Sequence, residues 1–139
     1  MDNRTLAIIK PDAVQNGFLG KILDRIVDEK FQILGAKLIS LSKDQAERFY
    51  FIHKGKSFYE ELTAFMSSGP CMVLALKKDN AVDEWRSVIG ATNPVDADEG
   101  TIRKEFASDL GKNAVHGSDN DENAKIEIGF FFPEANLIY

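Results

Sequence analysis

Four short apolar runs, each closed by proline, glycine or a polar cluster, alternate along the chain with stretches of helical periodicity. This alternation constrains the fold more than any other feature. The run Arg4–Ile9 ends at Lys10-Pro11, and proline stops a strand because it lacks a backbone N–H and fixes φ. Residues 31–41 read as a longer strand. The stretch from Cys71 to Leu76 follows Gly69-Pro70, is apolar at every position and reads as a core strand. It is far shorter than the roughly 18 residues of a membrane span. Residues 113–116 read as the fourth strand.

Between these runs, Leu19, Ile22, Leu23, Ile26 and Val27 recur at helical spacing, with Lys21, Asp24, Arg25 and Asp28 on the wet face. Ser42 and Gln45 form a capping-box pattern opening a helix that carries Ala46, Phe49 and Tyr50 on one face. Ser57 and Glu60 repeat the pattern ahead of Phe58, Leu62, Phe65 and Met66. Asn80 caps a helix with Val82, Trp85 and Ile89 inward. A polar loop runs from Gly90 to Gly100, a short helix spans residues 102–106, and a last helix runs from Asp121 to Gly129. The β-α-β-(α)-β-α-β order predicts an α+β, ferredoxin-like sandwich: a four-stranded antiparallel sheet with helices packed on it. Residues 1–139 are expected to form a single domain.

Charge and cysteine usage narrow the function classes. A formal net charge of −5 disfavours general attraction to nucleic acid, which needs a basic face, yet permits a local basic pocket for a small polyphosphate. Cys71 is the lone cysteine, so the fold stands without an internal disulfide and suits a reducing cytoplasm. Met1-Asp2-Asn3-Arg4 has no apolar signal-peptide core, and no membrane association is expected.

The chemistry centres on Asn113-Ala114-Val115-His116-Gly117-Ser118-Asp119. The acidic cluster after His116 opens a helix, and a helix N-terminus presents unpaired N–H groups beside which a phosphate can sit. A neutral imidazole can be a nucleophile. Taken alone, the segment reads more simply as a buried, hydrogen-bonded histidine with Ser118 capping the helix. Lys10, Arg86, Thr92, Arg103 and Asn113 stand at element ends or beside loops, where function tends to sit, though each by itself reads as a solvated or turn residue.

Two motifs are decoys. Gly55-Lys56-Ser57 imitates the end of a P-loop, but Tyr50 occupies the position where that loop needs glycine. Gly17 and Gly20 suit a turn better than a nucleic-acid clamp. His53, flanked by Lys54 and Lys56, falls at helical spacing from Tyr50 and reads as a packed or rim residue. Two histidines without a matching carboxylate or cysteine pattern make no metal site.

Lys10-Pro11-Asp12, then Gly90-Ala91-Thr92-Asn93-Pro94, Gly100-Thr101-Ile102-Arg103, and Asn113 through Asp119 occur together in the order and spacing of nucleoside diphosphate kinases. The resemblance covers essentially the whole chain. It implies a ferredoxin-like core, Mg²⁺ dependence, and reversible γ-phosphoryl transfer between nucleoside tri- and diphosphates. Position by position, His116 resembles the phosphorylated nucleophile, and Lys10, Arg86, Thr92 and Arg103 the phosphate ligands, with Tyr50 supporting the pocket. Asn113 resembles the ribose partner, shared with Lys10. Phe58 resembles the base-stacking residue, and Leu110 the cover over the base's other face. Ser118 and Glu127 resemble the groups that orient the histidine, and Asp119 the acidic residue near a Mg²⁺ held mainly by phosphates and water. The resemblance also implies a homotetramer or homohexamer built from dimers.

Three departures bear on these expectations. Lys56-Ser57 stands where family members commonly carry Arg-Pro, which loosens the lip of the base site. Asn120 replaces a small residue, typically serine. The acidic loop over residues 95–99 lacks a second proline, which bears on subunit contacts. Two rival classes are a ferredoxin-like nucleic-acid-binding module and a phosphohistidine carrier serving a partner protein. The acidic balance and the lack of paired aromatic platforms on a strand disfavour the first, so no obligatory nucleic acid is expected. The second leaves the dispersed Lys10, Arg86, Arg103 and Asn113 unexplained.

Overall fold

Alternation along the strand β1 (Arg4–Ile9) divides the interior into two layers, with Leu6 and Ile8 facing one side of the sheet and Ala7 and Ile9 the other. A computed structural model of the chain describes residues 3–138. Among them, β1 lies between β3 (Cys71–Lys77) and the short β4 (Val115–Gly117), while β2 (Gln32–Ile39) forms the far edge. The order is β2-β3-β1-β4 and all three pairings are antiparallel, which is the ferredoxin-like α+β arrangement. The central strands β1 and β3 are apolar on both faces because both faces are covered.

On the Leu6–Ile8 side pack α3 (Lys43–Phe49), α4 (Tyr59–Met66) and α7 (Asp121–Phe131), through Ala46, Met66 and Ile128. On the other side lie α1 (Pro11–Gln15), α2 (Leu19–Asp28), α5 (Ala81–Ile89) and α6 (Ile102–Phe106), contributing Ala13, Ile22, Ile26, Trp85 and Ile102. The capping box of α3 forms as the sequence predicts. Gln45 N–H donates to Ser42 Oγ at 3.0 Å, and Ser42 N–H donates to Gln45 Oε1 at 2.9 Å. No helix among the described residues is long and apolar enough to cross a membrane.

Several local expectations change. Val27 is 59% exposed, so α2 buries a narrower stripe, centred on Ile22 and Ile26. Ser57 caps nothing: a 3-10 turn at Phe51–His53 and a left-handed Gly55 delay the helix, and α4 starts after Phe58 with no side-chain cap bond. Asn80 holds the N-cap position of α5 in a left-handed conformation, and its side chain makes no cap bond. Asn120, not Ser118, caps α7 by accepting from Asn123 N–H at 2.8 Å, and α7 runs past Gly129 to Phe131. The helix α1 is too short for periodicity to reveal, although Pro11 at its first position suits such a start. Residues 113 and 114 stay outside β4 because Ala114 has φ +72°. Strand β2 is trimmed to Gln32–Ile39 and carries a bulge between Ile33 and Gly35.

Gly117 is fixed by packing. A Cβ there would lie 2.8 Å from Cδ1 of Trp85. That indole is fully buried, meets the Phe31 ring edge-on, and donates Nε1–H to the His116 carbonyl at 3.0 Å, so it has nowhere to go. Gly117→Ala is expected to destabilise the fold by about 1–3 kcal/mol, as overpacked cores do, measured by urea unfolding.

Candidate active site

The antiparallel register places His116 opposite Ile8, and the pleat turns its ring toward α3 and α7 while Gly117 faces Trp85. The imidazole meets the Phe49 and Tyr50 rings edge-on, with centroids at 5.7 and 6.3 Å. Its Nε2 lies 2.8 Å from Oε1 of Glu127, one helix away on α7. Ser118 Oγ donates to the same carboxylate oxygen at 2.8 Å and accepts Leu6 N–H at 3.2 Å. The central strand thus holds the serine, the serine holds the glutamate, and the glutamate holds the ring. An ionised carboxylate only accepts, so this contact puts the ring proton on Nε2 and leaves Nδ1 with its lone pair.

Lys10 directly follows β1 with a side chain almost completely enclosed, and its Nζ donates to Asn113 Oδ1 at 2.8 Å. Burial drives its ammonium pKa down to about 8; the nearby Arg103 pushes the same way and Asp12 opposes it. Arg103 lies on α6, whose start is capped by Thr101 Oγ1 accepting from Lys104 N–H at 3.3 Å. Its guanidinium donates to the carbonyls of Gly90 (3.0 Å) and Val115 (2.9 Å). Burial, reinforced by Arg86, lowers its pKa to about 10, so it stays cationic at neutral pH.

Arg86 of α5 is freer. Its Nη1 donates to Asp119 Oδ1 at 2.9 Å, with the two side chains 49% and 66% exposed. An exposed pair of this kind is worth about 0–1 kcal/mol, so the guanidinium can exchange partners readily. Thr92 follows α5, and its carbonyl accepts Asn113 Nδ2–H at 3.3 Å. The turn before it requires glycine: Gly90 has φ +88°, and a Cβ would lie 2.6 Å from Thr101 Oγ1.

These side chains surround one cavity of about 740 Å³. Lys10, Tyr50, Arg86, Thr92, Arg103, Asn113, His116 and Asp119 all line it, although the sequence scatters them over more than a hundred positions. Ser118 and Glu127 stand behind the imidazole. The Tyr50 hydroxyl has no hydrogen-bond partner among the described residues, and burial, with Glu127 adding to it, raises its pKa, so it stays a neutral O–H donor. His53 is a rim residue of the same cavity; burial, followed by Lys56, lowers its pKa. Phe58 and Leu110 lie outside the lining, both substantially exposed, and Phe58 tilts against the His53 ring at 5.4 Å.

Sequence reasoning missed Asp83, Ser87, Asp96, Asp98 and Thr101, which complete the walls. Asp83, Arg86 and Ser87 stand at i, i+3 and i+4, so helical spacing from Arg86 signals the first two. For Asp96 and Asp98 the acidity of their loop was the available cue. Among the described residues no cluster of three or more histidine, cysteine or carboxylate side chains is arranged to hold a metal. Asp119 with a carboxylate-bearing wall suits a divalent cation that arrives on phosphates, the usual preference of Mg²⁺, better than a dedicated protein cage.

Comparisons with known proteins converge on one family. A family model described as nucleoside diphosphate kinase matches residues 3–137. A nucleoside diphosphate kinase of Syntrophotalea carbinolica is 54% identical over 135 residues, covering 97% of this chain and 98% of its own. One from Flavobacterium psychrophilum is 55% identical over 130 residues, covering 94% of each. Among solved structures, an orthorhombic crystal form of the Aquifex aeolicus nucleoside diphosphate kinase superposes with a TM-score of 0.95 at 42% identity, covering 97% of this chain and 98% of that one. A halophilic one from Halobacterium salinarum, in complex with CDP, gives 0.94 at 34% identity, covering 100% and 93%.

The depressed Lys10 pKa generates a pH dependence. Below about 8 the ammonium is charged and attracts a polyphosphate; above it the amine is neutral and that attraction is lost. Affinity for a nucleoside diphosphate, followed by calorimetric titration, is expected to fall as pH rises through about 8, by at most about tenfold per unit. Lys10→Met is expected to bind weakly throughout and to lose that slope.

Proposed function

The chain belongs to the nucleoside diphosphate kinase family, and within that activity we propose that Nδ1 of His116 carries the phosphoryl group between two nucleotides. The enzyme is a nucleoside diphosphate kinase, a nucleotide-binding phosphotransferase. One observation carries the assignment of the nucleophile: Glu127 occupies Nε2, leaving the other ring nitrogen unengaged in a cavity that also holds Lys10, Arg86 and Arg103.

The neutral imidazole needs no separate base. Its Nδ1 lone pair forms the N–P bond as the bond from the γ-phosphorus to the bridging oxygen breaks, and the nucleoside diphosphate leaves with that electron pair. The Nε2 proton remains on the ring, where the Glu127 carboxylate stabilises the developing positive charge. A second nucleoside diphosphate then attacks the phosphohistidine from the same pocket, which makes the reaction reversible and ping-pong. Lys10, Arg103 and Arg86, the last released from Asp119, bind the phosphate oxygens together with Thr92, and Tyr50 supplies a neutral O–H donor. This is positioning and charge stabilisation, which is most of what phosphoryl transfer requires.

Asn113 and Lys10 hold the ribose hydroxyls. Phe58 stacks on the base and Leu110 covers its other face. A π-face is common to all bases, so discrimination among them is weak. Asp119 is the residue to hold a Mg²⁺ ion arriving with the nucleotide, through its carboxylate or through water. When bound, such an ion supplies charge neutralisation on the β- and γ-phosphates. The half-exposed edge strand β2, with Leu38 turned outward, supports assembly into dimers and from them a homotetramer or homohexamer. A buried free thiol at Cys71 is consistent with a cytoplasmic setting.

Incubation with a γ-labelled nucleoside triphosphate and Mg²⁺ is expected to give an acid-labile, base-stable phosphoprotein. His116→Ala should abolish the label and lower turnover by at least about four orders of magnitude, as loss of a covalent nucleophile does. His53→Ala should keep the label. Label on His53, or label surviving in the His116 variant, would overturn the assignment.

A further inference from the structure

The buried carboxylate of Asp12 has no part in the chemistry above. It lies at the start of α1, 7% exposed, in a position where burial raises its pKa. Among the described residues it forms no salt bridge, although the Lys10 ammonium is close enough to favour its charged form, and its Oδ1 has no hydrogen-bond partner there. Its other oxygen accepts the backbone N–H of Ala114 at 3.1 Å, 102 residues away along the chain.

Ala114 is the strained residue of the site. It has φ +72°, is fully buried, and is spanned by a bond from Val115 N–H to the Asn113 carbonyl at 2.8 Å, which closes a γ-turn of the rare hand around it. A residue with a Cβ persists in this conformation only when its surroundings over-determine it. Here both of its backbone polar groups are held by the segment that follows β1. Lys10 N–H donates to the Ala114 carbonyl at 2.8 Å, and Asp12 accepts the Ala114 N–H. The turn joins two functional side chains with unequal support. His116 is anchored by its register with Ile8, by Trp85 bonding its carbonyl and by Glu127 holding its ring. Asn113 precedes β4 and reaches Lys10 and the Thr92 carbonyl through its side chain alone.

We propose that Asp12 is a positioning residue for nucleotide binding, whose carboxylate locks the γ-turn at Ala114 and so holds Asn113 against Lys10. Losing that acceptor lets Ala114 relax toward negative φ, which withdraws Asn113 and leaves the histidine in place. The consequence is a defect in substrate binding rather than in the chemical step. The inference rests on the reading that Asn113 and Lys10 bind the nucleotide.

The test is steady-state kinetics of Asp12→Ala, Asp12→Asn and Asp12→Ala/Ala114→Gly beside the unsubstituted enzyme, with label on His116 measured at saturating nucleoside triphosphate. Asp12→Ala should raise KM for nucleoside diphosphates by about tenfold or more, with kcat changed less than about threefold and full labelling of His116. Asp12→Asn, which keeps a carbonyl acceptor for Ala114 N–H, should return KM to within about threefold. Ala114→Gly, which tolerates positive φ without strain, should recover part of the loss in the Asp12→Ala background. A fall in kcat at unchanged KM, an Asn variant no better than Ala, or an unaltered KM in Asp12→Ala would each overturn the proposal. Should Asp12→Ala not fold, the Asn variant decides: a KM raised about tenfold with the carbonyl acceptor present sinks the idea, and a near-native KM supports it. Absence of His116 label in the unsubstituted enzyme would instead refute the underlying reading of the site.

Discussion

The double pairing of β1 is the constraint on which the site depends. Strand β1 is hydrogen-bonded along one edge to β3 and along the other to the three residues of β4, so the histidine inherits the rigidity of the central strand. So short a strand has little cohesion of its own. It is secured instead by side chains that reach it from outside the sheet: Trp85 to the His116 carbonyl, Arg103 to the Val115 carbonyl, and Ser118 back to Leu6 N–H. Of these, Arg103 also lines the cavity, while Trp85 and Ser118 stand behind it and act on the backbone and the carboxylate that hold the histidine. Packing and chemistry are not separable around β4.

Electrostatically the cavity is arranged by depth. Lys10 and Arg103 are enclosed, and their charged forms are disfavoured by desolvation, with Arg103 adding to it at Lys10 and Arg86 at Arg103. Arg86 is exposed and compensated by Asp119. Burial of like charges opposes folding unless hydrogen bonds offset it, and here they do so through neutral acceptors: Asn113, Gly90 and Val115. Acceptors of that kind orient the cations without neutralising them, and the uncompensated charge is then available to an anion. A chain of net charge −5 thereby gathers three cations in one cavity, whose walls also carry Asp83, Asp96, Asp98 and Asp119.

Much of this was legible in the sequence, and the illegible part has a physical pattern. β1, α6 and the α3 capping box could be read because their signals are local: proline after Ile9, threonine before Ile102, serine three residues before Gln45. The family motifs gave His116 and the basic residues, and the cavity gathers them. What could not be read are roles fixed by partners distant in sequence. Read from its segment alone, Ser118 is a helix cap because a cap is a local role; the resemblance pairs it with Glu127, and its bond to Leu6 has no local signal. Ala114 looked like part of a strand because its composition fits one, and its left-handed φ comes from tertiary contacts. Ser57 satisfied a four-residue pattern, but Gly55 and the 3-10 turn before it set where the helix could begin. Asp96 and Asp98 belong to the cavity only because of how their loop packs, its turn at Pro94–Asp96 resting against α6.

The Glu127 contact bears on the regiochemistry of the proposed reaction. An imidazole offers two nitrogens of similar intrinsic reactivity, and in solution either can be modified. In the reaction proposed above the choice falls to a carboxylate on α7, eleven residues further along the chain, which lies 2.8 Å from Nε2. On that proposal, the seating of the helix on the sheet selects which isomer of the modified ring forms. A half-turn error in its docking would leave the fold recognisable and the selectivity gone.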